Sequence, residues 1–176
     1  MAQKRKAQFR ELDSPDTFQV DKDGVMADIF SRGKLHGRSV VLDIDGTLIE
    51  FREGPWKHRA PKFRPFYREF VEGLSKFYNL FLFSSGFPIR SKNLFQKYFR
   101  DDFCGYFDRT LLHRRHKSLK AIDSEGHPLF VVDDSQEAIH QWSQHLHIPI
   151  RRWTGEPEDA ELPRVLEVVQ KAWALK

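Results

Sequence analysis

The stretch VVLDIDGTL, residues 40–48, decides the fold of this 176-residue chain. Its apolar start predicts a strand buried on both faces, as in a parallel sheet. Alternate residues of an extended chain point the same way, so Asp43 and Asp45 are expected to project together from the strand end. Gly46 permits a sharp turn directly after them. Two adjacent carboxylates repel each other unless a cation or a proton neutralises them, so the pair indicates a site for Mg²⁺. Asp-Gly is also ordinary turn chemistry, and a plain surface turn is the alternative.

Composition points to one soluble domain. The chain is 40% hydrophobic, carries a net charge of +4 and has a single cysteine, Cys104, which excludes an intramolecular disulfide. We see no apolar run near the roughly 20 residues that span a bilayer, and no membrane partner is expected. These features predict an intracellular protein, cytoplasmic or, in a eukaryote, nuclear. The positive charge favours acidic partners such as phosphate esters, nucleic acids or acidic peptides.

Residues 1–38 and 39–176 differ in pattern. The first part is polar and is predicted to be an N-terminal extension with one hairpin, formed by Thr17–Val20 and Val25–Ile29. The second part alternates apolar strands with amphipathic helices, which predicts an α/β domain with a Rossmann-like parallel sheet and helices on both faces. The predicted strands are Val40–Ile44, Leu80–Phe83, Gly105–Phe107, Leu129–Val132 and Ile148–Ile150, and the predicted helices are Pro65–Phe77, Pro88–Phe99, Ser135–Leu146 and Glu158–Leu175.

Two of these helices have a predicted apolar face. The residues expected to face the core are Phe66, Phe70, Leu74 and Phe77 in the first helix, and Ile89, Leu94, Phe95 and Phe99 in the second.

Two further strand ends are polar. Ser84-Ser85-Gly86 follows the strand at 80–83 and offers a hydroxyl and backbone amides for a phosphate group. Asp133-Asp134 follows the strand at 129–132 and offers more oxygen ligands for a cation. Lys117 lies between them in a basic run. Taken singly, these segments also fit a strand-to-helix turn, a helix N-cap and a solvated surface.

In this order the motifs resemble the four motifs of the haloacid dehalogenase superfamily, over about residues 39 to 170. The sequence is similar to the branch of NLI-interacting-factor-like phosphatases, which includes the small C-terminal-domain phosphatases of RNA polymerase II. Two positions depart from that branch, which usually has glutamate where this chain has Gly46 and often asparagine where it has Asp134. The segments that carry the closer resemblance are 62–65, 81–85, 117–119, 132–135, 148–153 and 159–162.

The resemblance implies a phosphatase that uses an aspartyl-phosphate intermediate. Asp43 would be the nucleophile and Asp45 the general acid and base. Ser84 would hydrogen-bond a phosphoryl oxygen, and Lys117 would offset negative charge. The Mg²⁺ ligands would be Asp43, the main-chain carbonyl of Asp45, and Asp134, with Asp133 in the inner or outer shell.

Four other residues complete the predicted site. The backbone around Ser85 and Gly86 would help to bind the phosphoryl group, Thr47 would brace the turn or contact substrate, and Arg64 would reach the substrate or fix the start of its helix.

The short interval between Asp45 and Arg64 predicts that no cap domain covers the site. An open site favours a phosphate displayed on a macromolecule, and phosphoserine or phosphothreonine in a protein is the first choice. A polynucleotide 3′-phosphatase, or another nucleic-acid or nucleotide phosphatase, is the second. Its phosphate contacts would be Lys4, Arg5, Lys6, Arg114, Arg115, Arg151 and Arg152. A phosphate-binding module without activity is the third.

Overall fold

The computed structural model describes residues 38–52, 60–108, 130–135 and 146–174, together with the short strands that lie outside these ranges. The strands are β1 (Arg10–Glu11), β2 (Phe18–Gln19), β3 (Ser39–Leu42), β4 (Asn79–Phe83), β5 (Gly105–Phe107), β6 (Leu112–His113), β7 (His116–Lys117), β8 (Phe130–Asp133) and β9 (Leu146–Pro149). The helices are α1 (Tyr67–Ser75), α2 (Pro88–Leu94) and α3 (Glu161–Ala174), and a π-helical segment, Phe95–Phe99, continues α2.

Five parallel strands form the central sheet in the order β5-β4-β3-β8-β9. From β3 the chain adds β4 and β5 on one side and then β8 and β9 on the other, so the strand order reverses beside β3. Ligands of open α/β sheets bind at such a reversal, outside the carboxyl ends of the strands. The register pairs Leu42 with both Leu82 and Val132, which places the residues after these three at one edge.

Both faces of the sheet are buried. On one face Val40, Leu42 and Leu82 belong to the main hydrophobic core, where α1 and α3 pack against each other. On the other face Val41 and Val131 are equally inaccessible to solvent. The predicted α/β fold with a Rossmann-like parallel sheet is therefore confirmed, and the uninterrupted apolar composition of the strands follows from burial on two sides.

The starts of two predicted helices differ from expectation. α1 begins at Tyr67 and not at Pro65, because Phe66 has a left-handed backbone with φ 64° and its side chain is 49% exposed. The face that α1 buries consists of Tyr67, Phe70, Val71 and Leu74. In the second helix Ile89 is 75% exposed, whereas Phe95 and Phe99 are buried in the π-helical segment. Phe66 and Ile89 were therefore wrong as core residues.

For three other predictions, the structure describes only part of the chain concerned. β2 pairs antiparallel with β1, and the predicted partner strand Val25–Ile29 lies outside the described residues. The predicted helix Ser135–Leu146 lies outside them except at its ends, where Ser135 is not helical and Leu146 begins β9. In the described part of the chain, none of the helices combines the length and apolarity needed to cross a membrane.

Candidate active site

Three polar strand ends meet at the carboxyl edge of the sheet. Asp43 follows β3 and donates its backbone N–H to the carbonyl of Val132, at 2.9 Å, so it is held against β8. Asp133 is the last residue of β8, and Ser84 directly follows β4. All three side chains are largely buried. The structure thus brings together residues that the sequence places 41 and 90 positions from Asp43.

Asp43, Asp133 and Asp134 form a cluster of carboxylates. One oxygen from each lies within 4.8 Å of the others, a spacing at which one cation can contact all three. Their donors are hard oxygen atoms, which suit Mg²⁺ better than the nitrogen and sulfur sites that select zinc. The backbone N–H of Ser135 donates to Asp133 Oδ1 at 2.8 Å and fixes one of these side chains. The described residues therefore fit the predicted magnesium site.

Arg152 forms an ion pair with Asp134 that the sequence reasoning missed. Its Nε donates to Asp134 Oδ2, and its guanidinium carbon lies 4.4 Å from the centre of the Phe51 ring. The hydrogen bond to Asp134 raises the pKa of Arg152, so the guanidinium stays charged. Arg152 was predicted only as a contact for a nucleic-acid backbone. Here it lies beside the carboxylate cluster and offsets part of its negative charge.

Arg90 forms a bidentate ion pair with Asp45. Its two terminal nitrogens donate to Asp45 Oδ2 at 2.6 Å and to Oδ1 at 2.5 Å. Arg90 lies in the first turn of α2, and its Nη1 is close to the Ser84–Gly86 turn as well. Sequence reasoning missed this residue. The one signal was an arginine a few positions after a phosphate-cradle motif, which any surface helix could also carry.

Gly46 is required both by its backbone and by its neighbours. Its φ of 84° is unfavourable for residues with a side chain. A Cβ at this position would lie 2.9 Å from Asp134 Oδ2 and 3.0 Å from Arg152 Cγ. The turn predicted at Gly46 is therefore confirmed, and the departure from glutamate at this position fits the space that the Asp134–Arg152 pair occupies.

Arg64 holds the backbone of the turn at Gly46 and Thr47 in place. Its five N–H donors go to both carboxylate oxygens of Asp159 and to the backbone carbonyls of Gly46, Thr47 and Arg151, at 2.6–3.2 Å. The side chain is 1% exposed. With every donor used inside the protein, Arg64 has none left for a substrate, so the substrate-binding prediction is corrected to a positioning role.

Asp159 is the buried partner of Arg64. Burial raises the energy of the charged carboxylate, but the hydrogen bonds from Arg64 and Arg151 outweigh it, and the pKa of Asp159 is lowered. Its Oδ1 also accepts the backbone N–H of Glu161 at 3.2 Å, at the start of α3. Through Arg64, one carboxylate therefore links the turn at Gly46 and Thr47 to the last helix.

The Ser84–Gly86 turn forms a compact cradle. The backbone N–H of Gly86 donates to Ser84 Oγ at 3.0 Å, while the Ser85 side chain is exposed.

The roles predicted for Thr47 and Lys117 stay predictions. Thr47 is fully buried, and its hydroxyl has no hydrogen-bond partner among the described residues. Lys117 lies in β7, and its side chain is outside the described residues.

Comparison with known proteins identifies the family of this chain. Residues 38–175 match the model of a family described as NLI interacting factor-like phosphatase. The chain belongs to the NLI interacting factor-like phosphatase family. The resemblance drawn from the motifs is thereby confirmed.

Two solved structures share the fold of this member of the family. One is described as Fcp1, an essential RNA polymerase II CTD phosphatase, with 15% identity and a TM-score of 0.60. The other is fission yeast RNA polymerase II CTD phosphatase Fcp1, in a variant bound to beryllium fluoride, with 16% identity and a TM-score of 0.53. Each match covers 78% of this chain, which spans 62% and 51% of the lengths of those two chains.

Proposed function

We propose that this phosphatase is a magnesium-dependent phosphomonoester hydrolase that forms an aspartyl-phosphate on Asp43 and acts on phosphoserine or phosphothreonine in proteins. The observation that carries the proposal is the meeting of Asp43, Asp133 and Asp134 at the edge of the sheet, next to the Ser84 turn. A nucleophilic carboxylate, further carboxylates for a cation and a cradle for phosphoryl oxygens are the parts that two-step hydrolysis requires.

Asp43 is the nucleophile in this proposal. One of its carboxylate oxygens attacks phosphorus, the bond from phosphorus to the ester oxygen breaks, and the phosphoryl group is transferred to Asp43. Water then attacks the same phosphorus and releases inorganic phosphate, which restores the carboxylate. The net reaction consumes one water and yields an alcohol and phosphate, and two moderate barriers replace one high barrier.

Asp45 moves the proton in both steps. It gives a proton to the leaving ester oxygen and later takes one from the attacking water, which is typically worth about 10²- to 10⁴-fold in rate. Arg90 donates to both carboxylate oxygens of Asp45, so this ion pair occupies the oxygens that would have to reach the leaving group. We therefore assign Arg90 to the phosphoryl oxygens once substrate is present, which leaves an Asp45 oxygen open to the leaving group and to water.

Ser84 is oriented to contact the phosphoryl group. Its oxygen accepts the N–H of Gly86, so its own O–H remains to donate to a phosphoryl oxygen. The backbone around Ser85 adds further donors, and Lys117 supplies positive charge in the proposed site. Mg²⁺ would be held by the carboxylates of the cluster and the main-chain carbonyl of Asp45. When bound, it neutralises negative charge on the transferring group.

The choice of a phosphoprotein rests on the comparisons. Both solved relatives are described as phosphatases of the RNA polymerase II CTD, a protein substrate. Neither the family nor these relatives favours nucleic acid, so the polynucleotide phosphatase is not carried forward. The inactive binding module has no observation in its favour, since Asp43, Asp45 and Ser84 are all present.

The test is the Asp43→Asn variant, which keeps the size of the side chain and removes its charge. We expect the wild type to hydrolyse p-nitrophenyl phosphate and phosphoserine peptides only with Mg²⁺, and the variant to lose at least about 10³-fold in kcat. Fluorine NMR with beryllium fluoride and Mg²⁺ should show a bound signal in the wild type alone. The exposed Glu72→Gln is the charge-matched control. Activity retained by Asp43→Asn would refute the nucleophile, and a wild type without turnover would revive the binding module.

A further inference from the structure

A groove of about 690 Å³ opens beside the candidate active site. One wall consists of Ile49, Glu50 and Arg52, just after the turn at Gly46 and Thr47, and a second is Ala60–Lys62. The third is the side of α2 and its π-helical continuation that carries Arg90 and Lys97. Arg90 lines this groove and also binds Asp45, so the groove begins where the proposed phosphoryl site ends.

The groove carries an excess of positive charge. Its described lining includes four cations, Arg52, Lys62, Arg90 and Lys97; one acid of the lining, Glu50, binds Arg52 at 2.5 Å, and Asp45, outside the lining, binds Arg90. Lys62 donates to the carbonyl of Gly155 at 2.6 Å and lies 5.4 Å from the centre of the Trp153 ring, and neither contact neutralises its charge. A cleft lined by one sign of charge concentrates ligands of the opposite sign.

Apolar side chains are exposed at the same place. Phe87 and Ile89 are 68% and 75% exposed; Phe87 directly follows the Ser84–Gly86 turn, and Ile89 is one of the residues of α2 that line the groove. Exposed apolar groups beside a charged groove are typical of protein-binding surfaces. Tyr98 is the one aromatic residue among the described lining residues, and its ring packs edge-on against Phe63 at 6.3 Å. Single strands of nucleic acid are typically bound by several aromatic side chains in a row, so a described lining with one aromatic ring favours a peptide over nucleic acid.

We propose that this groove binds an acidic segment flanking the phosphorylated residue, so that the preferred substrates are phosphoproteins with Asp or Glu near the phosphoserine or phosphothreonine. The proposal rests on the phosphatase function above. Arg90 and Lys97 are seven positions apart on the helix, about 10 Å along its axis. An extended peptide covers that distance in about three residues, so the acidic side chain belongs about three positions from the phosphorylated one.

The test compares phosphoserine peptides of one sequence in which a single glutamate is moved through the positions from four before to four after the phosphoserine, with alanine as reference. We expect kcat/KM to be about fivefold higher with glutamate three positions away on one side, the scale of one exposed charge pair. The preference should shrink in 0.5 M NaCl, because salt screens exposed charges. A 3′-phosphorylated oligonucleotide serves as the nucleic-acid arm.

Lys97→Glu is the variant and Lys92→Glu is its matched control. Both side chains are exposed in the same helical region, but only Lys97 lines the groove. We expect Lys97→Glu to abolish or reverse the glutamate preference and Lys92→Glu to preserve it. Hydrolysis of p-nitrophenyl phosphate should be equal in all three proteins, which shows that the variants are folded and active.

Several outcomes would overturn the groove proposal. The first is equal kcat/KM for glutamate and alanine peptides, and the second is an equal effect of the two lysine variants on the glutamate preference. The third is faster turnover of the oligonucleotide than of the peptides, impaired by Lys97→Glu alone. Each of these leaves p-nitrophenyl phosphate hydrolysis intact. Failure of the phosphatase function itself is distinguishable, because p-nitrophenyl phosphate would then not be hydrolysed by the wild type.

Discussion

Arg64 and Asp159 form a fully buried ion pair that fixes the backbone of the turn at Gly46 and Thr47. Arg64 Nε and Nη2 donate to the two carboxylate oxygens at 2.6 and 2.8 Å, and Nη1 holds the carbonyls of Gly46 and Thr47. Both side chains are inaccessible to solvent. The pair therefore acts on the proposed reaction only through the turn that carries Asp45.

Asp159→Asn should destabilise the fold. Removing the charge of one partner leaves the buried guanidinium uncompensated, and loss of one member of a buried pair typically costs about 3–5 kcal/mol. We expect a loss in the free energy of unfolding near the lower end, because asparagine keeps one acceptor oxygen. Urea denaturation measures it. The neighbouring exposed Glu158→Gln is the control, and equal stability of the two variants would contradict the role assigned to the pair.

Low pH should reduce the free energy of unfolding through protonation of Asp159. The pKa of Asp159 is lowered in the folded state from its ordinary value of 3.8, so the folded protein binds this proton less readily than the unfolded chain. The resulting stabilisation is fully present above pH 3.8 and is lost as the pH falls below it, towards the folded-state pKa. Urea unfolding between pH 2 and pH 6 should show a weaker decline in stability for Asp159→Asn than for the wild type. Parallel pH profiles for the two proteins would refute this prediction.

Replacement of Arg90 should affect substrate binding more than chemistry. We expect Arg90→Ala to raise KM for p-nitrophenyl phosphate by about tenfold or more, since a lost charge-assisted hydrogen bond is worth about 1.5–3 kcal/mol. The inhibition constant for inorganic phosphate should rise in parallel, whereas kcat should change less. Steady-state kinetics of Arg90→Ala and Lys92→Ala give the comparison. An Arg90→Ala enzyme with unchanged KM would show that the guanidinium does not move to the phosphoryl group.

Magnesium should stabilise the folded chain. Three carboxylates within 4.8 Å of one another repel in the absence of a cation, and an ion at a hundred times its Kd adds about 2.7 kcal/mol. We expect Mg²⁺ to raise Tm by several degrees in the wild type, and much less in Asp133→Asn. Glu72→Gln should respond like the wild type. A thermal shift that survives in Asp133→Asn would place the ion elsewhere, and added EDTA should reverse the wild-type shift.

Local pattern predicted the parts of the site that depend on one strand and its turn. Asp43, Ser84 and Asp133 follow short apolar runs, and parallel pairing must bring such ends to one edge. The ion pairs were not predictable in this way. Asp45 and Arg90 are 45 positions apart and Arg64 and Asp159 are 95 apart, so each pair is formed by the tertiary fold and not by a local pattern.

Helix boundaries failed for a different reason. Periodicity placed Phe66 and Ile89 on core faces, but one has a left-handed backbone outside the helix and the other faces solvent in the first turn of α2. Both lie within two residues of a proline, which marks the start of a helix without fixing its rotation. Of these two exposed side chains, Ile89 lines the groove beside the candidate active site, where a partner and not the core would cover it.

The space next to Gly46 is already occupied by two other side chains. Asp134 and Arg152 fill the volume that any side chain at position 46 would need, and the backbone there is already left-handed. A relative that carries glutamate at position 46 therefore has to place its counterpart of Arg152 elsewhere. The acid that corresponds to Asp134 then needs another cation as its partner. Positions 46 and 152 should accordingly change together among relatives, as a small residue with arginine or as a large one without it.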